Sequence, residues 1–285
     1  MGAFSIKRGF LFLIGGAEDK TGDKVVLKTI LRRTEAKQIA IVPTASSYPQ
    51  DVYRTYEDAF RHLGRRDTHC LDIRYPDEAE RDEHLYTVER ADLIFFGGGD
   101  QVKLVDTLMN TKLYDLIHEK FTAGELHIAG TSAGATAAGN PMIYHGNHDG
   151  LRKGSVESSE GFGFIDGVTV DTHFSARGRI ARLSQFLLGG QCKKGIGLDE
   201  DTAIMICPND QFTVIGSGRV TVLNSTTVSG SNYNRIEDGE KLRFNNMRFG
   251  SLSPGSSFSM RKWSIMNRVG QTNRCLEPPI QWAST

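Results

Sequence analysis

Residues 126–139 read Leu126-His127-Ile128-Ala129-Gly130-Thr131-Ser132-Ala133-Gly134-Ala135-Thr136-Ala137-Ala138-Gly139, and the fold turns on them. The apolar run Ile128-Ala129 predicts a buried strand. It leads straight into Gly130-Thr131-Ser132-Ala133-Gly134, which fits the G-x-S-x-G pattern of a nucleophile elbow. Only small residues follow Ser132 as far as Gly139, as a helix packed tightly under a sheet requires. The glycines have a steric reason: on a sharp strand-to-helix turn, larger side chains would strike the neighbouring backbone. Such a turn lifts the serine hydroxyl clear of the sheet. It also sets Ser132 at a helix N-terminus, where free N–H groups can hold an oxyanion. Taken alone, the stretch fits equally well a glycine-rich helix start with a capping serine.

The chain on the N-terminal side of this stretch alternates between two periods. Gly9–Ile14, Gln38–Val42, Thr68–Leu71 and Ala91–Phe96 are short apolar runs that read as strands. Asp23–Arg32 carries Val25, Val26, Ile30 and Leu31 at helical spacing, and Val52–Leu63 carries Tyr53, Tyr56, Phe60 and Leu63. Val102–Phe121 reads as one further helix. Strands alternating with helices predict a parallel sheet covered on both faces, an α/β doubly wound fold. Sites in such sheets lie beyond the C-terminal strand ends. Gly15-Gly16, Thr44–Ser47, Gly97–Gln101 and Ser132 all stand at such ends and are expected to converge.

Beyond Gly139 the pattern changes. Pro141 to Phe164 is polar and glycine-rich and reads as a long loop. Val168–Asp171 reads as a strand and Gly178–Leu188 as a helix. Short strands follow at Gly195–Leu198, Ala203–Ile206, Phe212–Ile215 and Val220–Leu223, with a weaker candidate at Lys241–Phe244. This predicts a late antiparallel β extension. Neither a repeat nor a linker interrupts residues 1–285, which read as a single domain.

Composition bounds the function. The chain has 34 basic and 34 acidic residues and no net charge, which gives no reason to expect a nucleic-acid or membrane-surface partner. No apolar run approaches the roughly 20 residues that span a bilayer. The apolar start at Gly9–Ile14 is too short for a signal segment and runs into Gly15-Gly16-Ala17-Glu18-Asp19. Cys70, Cys192, Cys207 and Cys275 follow no metal spacing, and read as reduced packing residues of a cytoplasmic protein.

A serine hydroxyl needs a base to take its proton, usually a histidine oriented by a carboxylate. Of 8 histidines, His62, His84 and His118 lie in helix-like or charged segments and read as surface groups. His127 lies inside the strand before Ser132 and reads as core. His145 and His148 fall in the glycine-rich loop. His173 follows a strand at the end where the site is expected, and is the candidate base. For the carboxylate, Asp199, Glu200 and Asp201 follow another strand end, where three acids repel unless some are paired. Asp171 is nearer in sequence but need not bond to His173. Oxyanion donors would be the N–H of Ala133 and one from the Gly97–Gly99 run, Gly99 being the candidate. Arg177, Arg179 and Arg182 follow His173 closely, as carboxylate-binding forks or as a solvated helix face. Gln101 offers an amide donor and acceptor.

Taken together, Gly15–Lys20, Phe96–Gln101, Gly130–Ala135, Asp171–Phe174 with Arg177-Gly178-Arg179 and Arg182-Leu183, and Gly197–Ala203 resemble, in order, the motifs of cyanophycinases. Leu252-Ser253-Pro254-Gly255 extends the resemblance to nearly the whole chain. These serine peptidases are related to aspartyl dipeptidase and share the class I glutamine amidotransferase-like, flavodoxin-like fold. The resemblance implies Ser132 as nucleophile, His173 as base and Glu200 as its carboxylate. It implies a substrate groove lined by Gln101, Asp171, Thr172, Arg177, Arg179 and Arg182. It further implies no metal or other cofactor, a homodimer, and cleavage of cyanophycin, a poly-aspartate with arginine on each β-carboxyl, to β-Asp-Arg dipeptides. Cyanophycinases often carry glutamine where this chain has Thr172, a departure that bears on the dipeptide preference and not on the mechanism. An α-aspartyl dipeptidase, with a closed site for a free N-terminus and little use for three arginines, is the alternative enzyme. A binding module with a dead elbow is the non-enzymatic alternative.

Overall fold

The structure, a computed structural model, describes residues 8–146 and 151–266. The first half runs β1 (Leu11–Ile14), α1 (Val25–Thr34), β2 (Gln38–Val42), α2 (Pro49–His62), β3 (Asp67–Cys70), α3 (Asp82–Arg90), β4 (Leu93–Phe96), α4 (Gln101–Leu108), α5 (Lys112–Ala123), β5 (His127–Thr131) and α6 (Ala133–Ala137). The second half runs β6 (Gly139–Asn140), β7 (Met142–Gly146), β8 (Val156–Ser159), β9 (Ile165–Asp166), β10 (Val168–Asp171), α7 (Ile180–Gly189), β11 (Lys194–Leu198), β12 (Thr202–Ile206), β13 (Gln211–Gly216), β14 (Val220–Asn224), β15 (Arg248–Leu252), β16 (Ser257–Ser259) and β17 (Ser264–Ile265).

The main sheet has nine strands in the order β17-β16-β13-β12-β1-β5-β4-β2-β3. From β1 to β3 it is parallel; β12, β13, β16 and β17 continue it antiparallel. Alternate residues of its strands feed two cores, as a period of two requires. Phe12, Ile14, Ile39, Ile41 and Phe95 pack against α1 and α2. Leu11, Leu13, Val42, Ile94 and Phe96 pack on the other face against α4 to α6. The doubly wound α/β class expected from the alternating pattern is the class observed.

The late strands do not form one extension. β10, β11, β14 and β15 join β6 and β9 in a second, six-stranded sheet. Val170, Ile196, Leu198 and Val222 of that sheet share the larger core with the main sheet. On its far side Leu183, Phe186 and Leu187 of α7 pack against Phe174 and Leu223. Period-two patterning marks a strand without naming the sheet it joins.

Other expectations are corrected locally. The single helix over Val102–Phe121 is two helices. Asn110 takes φ 61° and Thr111 caps α5 by accepting the Tyr114 N–H, so the chain turns between them. Within Pro141–Phe164, the expected loop holds the β7–β8 hairpin. Lys241 makes only an isolated bridge to Arg152, and the strand lies later, at β15. Cys207 is disulfide-bonded, so the four cysteines are not all reduced; Cys70 and Cys192 are free. Cys275, His148 and the first seven residues lie outside the described residues. No helix among the described residues is long and apolar enough to cross a membrane.

Candidate active site

The elbow forms where the small residues demand it. Ser132 sits between β5 and α6 at φ 51° and ψ −108°, a backbone that non-glycine residues avoid. A methyl on Gly130 would lie 2.5 Å from the Gly134 carbonyl oxygen, and one on Gly134 would lie 2.6 Å from that of Phe96. Strand, helix and neighbouring strand therefore touch through backbone alone. Ser132 is the residue just before α6, so the Ala133 N–H begins a set that has no partner inside the helix.

His173 follows β10 in the second sheet and Glu200 lies in the connection from β11 to β12, which joins the two sheets. The Ser132 Oγ stands 2.9 Å from His173 Nε2, and His173 Nδ1 stands 2.6 Å from Glu200 Oε1. An ionised carboxylate only accepts, so Nδ1 carries the ring proton and Nε2 is left to accept from the serine hydroxyl. The His173 side chain is mostly buried, while that of Glu200 is 45% exposed. The other two acids of this turn are spent on structure. Asp199 accepts the N–H groups of Ser175 and Arg219, and Asp201 accepts that of Asp19 and the Ser217 hydroxyl.

Three consecutive carbonyls at the end of β1 gather the site. Ile14 accepts the Ser132 N–H at 3.0 Å, Gly15 that of His173 at 2.8 Å, and Gly16 that of Asp201 at 2.9 Å. Gly16, at φ 94°, packs flat against the imidazole; a methyl there would lie 2.4 Å from His173 Cε1. Next to it Glu18 is buried. Its carboxylate accepts the hydroxyls of Tyr56 and, at 2.7 Å, Thr131, with Lys20 Nζ 3.5 Å away. Burial and the Glu18 charge push the Tyr56 phenol well above its ordinary range, so it stays protonated. In the sequence Gly15-Gly16 reads as a strand end and Tyr56 as a helix-face residue, and neither Glu18 nor Lys20 carries an expected role. An acid and a lysine directly after a glycine pair were the available signal.

The structure redistributes the expected groove. Asp171 is fully buried. Arg182 grips it with Nε at 2.9 Å and Nη2 at 2.6 Å, and Arg179 Nη1 adds a third contact at 2.9 Å. Thr172 is buried beside Thr136. Asp171, Thr172 and Arg182 are thus interior groups that brace the segment before His173, not a groove lining. Arg177 is exposed. Gln101 donates its amide to the Ile143 carbonyl at 3.1 Å and so ties α4 to β7. Of the glycine run, Gly98 faces Ser132: a methyl added to it would lie 3.4 Å from the serine Cβ. Gly99 turns against the Ala45 carbonyl and lines a separate hollow with Gln101 and His145. His127 is a core group as expected: it accepts the Phe10 N–H, and burial pushes its pKa down. Among the described residues no three His, Cys, Asp or Glu side chains group closely enough to hold a metal ion.

Comparison with known proteins gives this arrangement a family. The sequence model of peptidase family S51 matches residues 11–215. The chain belongs to peptidase family S51. This makes it a serine peptidase. It is 33% identical over 276 residues to the cyanophycinase of Synechococcus elongatus, spanning 96% of this chain and 84% of that one. To the cyanophycinase of Geminocystis herdmanii (strain PCC 6308) it is 33% identical over 257 residues, 89% and 94% of the two chains. Peptidase E of Pasteurella multocida (strain Pm70) is 26% identical over 228 residues, 75% of this S51 chain and 92% of that protein. Among solved structures, a peptidase from an acI-B1 Actinobacterium superposes with a TM-score of 0.70 at 25% identity, covering 90% of this chain and 98% of that one.

Proposed function

We propose that this S51 peptidase hydrolyses cyanophycin to β-Asp-Arg dipeptides, with Ser132 as nucleophile, His173 as general base and Glu200 as the orienting carboxylate. The observation that carries the reading is the unbroken hydrogen-bond chain from the Ser132 hydroxyl through the His173 ring to Glu200. As Oγ attacks the scissile carbonyl carbon, Nε2 takes its proton, and Glu200 stabilises the imidazolium that results. The carbonyl oxygen, now an anion, is held by the N–H groups of Ala133 and Gly98. Gly98 takes the place expected of Gly99 because it is the glycine that faces Ser132. Loss of one such donor typically costs about 100- to 1,000-fold in rate. The intermediate collapses, the leaving amine receives the proton from Nε2, and water then frees the acyl group by the same steps in reverse.

The choice of substrate is supported by the relatives. Those named cyanophycinase match nearly the whole chain at 33% identity; peptidase E matches three quarters of it at 26%. Purified protein incubated with cyanophycin, with products read by mass, tests the reading. Release of β-Asp-Arg by the native chain and none by a folded Ser132→Ala variant is the expected result. Cleavage of Asp-X dipeptides with cyanophycin left intact would move the assignment to an aspartyl dipeptidase. Absence of both, together with failure of a fluorophosphonate probe to label Ser132, would leave a binding module.

A further inference from the structure

A cavity of about 480 Å³ opens beside the Ser132 hydroxyl. One wall is the segment Gly16–Lys20; the opposite wall is the first part of α2, with Tyr48 at its lip. That volume lies in the usual range for a small-ligand pocket.

Three charged side chains line it: Glu18, Lys20 and Asp51. The first two cancel. Glu18 is buried and engaged by two hydroxyls, and the Lys20 ammonium lies 3.5 Å from it, 3.0 Å from its carbonyl oxygen and 5.2 Å from the centre of the Tyr56 ring. Asp51 is exposed and forms no ion pair among the described residues. Lys103 and Arg74 reach the Ser46 carbonyl, each at 3.2 Å, but neither lines the cavity. The walls thus carry one uncompensated negative charge. Asp51 stands in the first turn of α2, where an acid suits the helix dipole. The dipole does not account for Tyr48. This large ring is 73% exposed at the cavity lip, and packing gives no reason for it.

A carboxylate and an exposed aromatic ring that line one cavity with a nucleophile suit a planar cation, because a guanidinium can fork onto the acid and stack on the ring. We propose that this cavity is the subsite for a guanidinium-bearing side arm of the substrate, with Asp51 as its anionic partner and Tyr48 as its stacking surface. The inference rests on the reading of Ser132 as the nucleophile, because the arm must sit beside the bond being cut.

The test compares two synthetic peptides, a dimer of β-Asp-Arg and its analogue with citrulline, a neutral ureido isostere, in place of arginine. Native protein is expected to prefer the arginine peptide. Asp51→Asn is expected to raise KM for that peptide about tenfold, as loss of a charged hydrogen-bond partner does, while kcat falls little, so that the preference collapses. Asp51→Glu should restore part of it, and Tyr48→Ala should raise KM several-fold. A second readout does not need turnover. Calorimetric binding of β-Asp-Arg to Ser132→Ala protein should weaken by a similar factor when Asp51→Asn is added. Binding that depends on Asp51 with no cleavage of either peptide would sink the reading of cyanophycin as the hydrolysed substrate and leave the subsite. Cleavage and binding both indifferent to Asp51→Asn would overturn the subsite and leave the peptidase.

Discussion

Four non-glycine residues at the site have positive φ: Ala17 at 50°, Ser132 at 51°, His173 at 48° and Asp201 at 49°. Backbone of this kind costs on the order of 1–3 kcal/mol per residue and persists where neighbours over-determine it. Here the over-determination is visible, since three of the four N–H groups are captured by Ile14, Gly15 and Gly16 in turn. Gly16 also has to have no side chain. We expect Gly16→Ala to lower kcat/KM by about 100-fold or more, the scale of a 1 Å misplacement of a catalytic group. Steady-state kinetics beside a melting curve checks it; a loss explained by unfolding alone would count against a geometric role. Ser132 and His173 were legible as candidates because glycine patterns and strand ends mark places where chemistry can be exposed; Glu200 was one of three acids at a strand end, and only the family resemblance singled it out. The fates of Asp171 and Arg182 were not legible. Charge in a sequence says that a partner is needed, and not whether the partner is substrate or protein.

At the scale of elements, β10 and α7 are held to one another by Asp171 and its two arginines. Removing one member of a buried ionic group leaves the others desolvated and unpaired, at about 3–5 kcal/mol. Asp171→Ala is therefore expected to lower the free energy of unfolding in urea by that amount and to cut kcat with it. A change in KM alone, at native stability, would return Asp171 to the substrate groove. The turn from β1 to α1 has its own pH signature. Asp19 accepts the N–H groups of Lys24 at 2.8 Å, Gly22 at 2.7 Å and Thr21 at 2.9 Å. These bonds, that of Lys24 foremost, hold its carboxyl at about 2, against an ordinary 3.8. A depressed folded value means that the stabilisation is full above about pH 4 and is lost as pH falls toward about 2. The advantage of the native chain over Asp19→Asn in thermal melts should be constant near neutrality and close across that interval. A gap that is as wide at the acid end as at neutrality would refute the assignment.

At the scale of the molecule, the strands of the parallel half were readable to within about two residues, its helices less well. The strand expected at Gln38–Val42 has those bounds, as does that at Val168–Asp171. Both are buried runs closed by turn residues, where one period dominates. α3 was missed because it buries only Val88 and leaves a polar surface, which gives little periodic signal. The division of the late strands between two sheets was hidden for a different reason: it depends on which distant partner each strand meets. β12 meets β1, antiparallel, with Ile14 opposite Ala203. That seam, with the three carbonyls beside it, has a consequence for how the protein comes into being. A nascent chain acquires its serine before the segments that bring the imidazole and the acid back to the first strand. With the roles proposed for Ser132, His173 and Glu200, hydrolysis has to wait until the second half is made and docked onto the first strand.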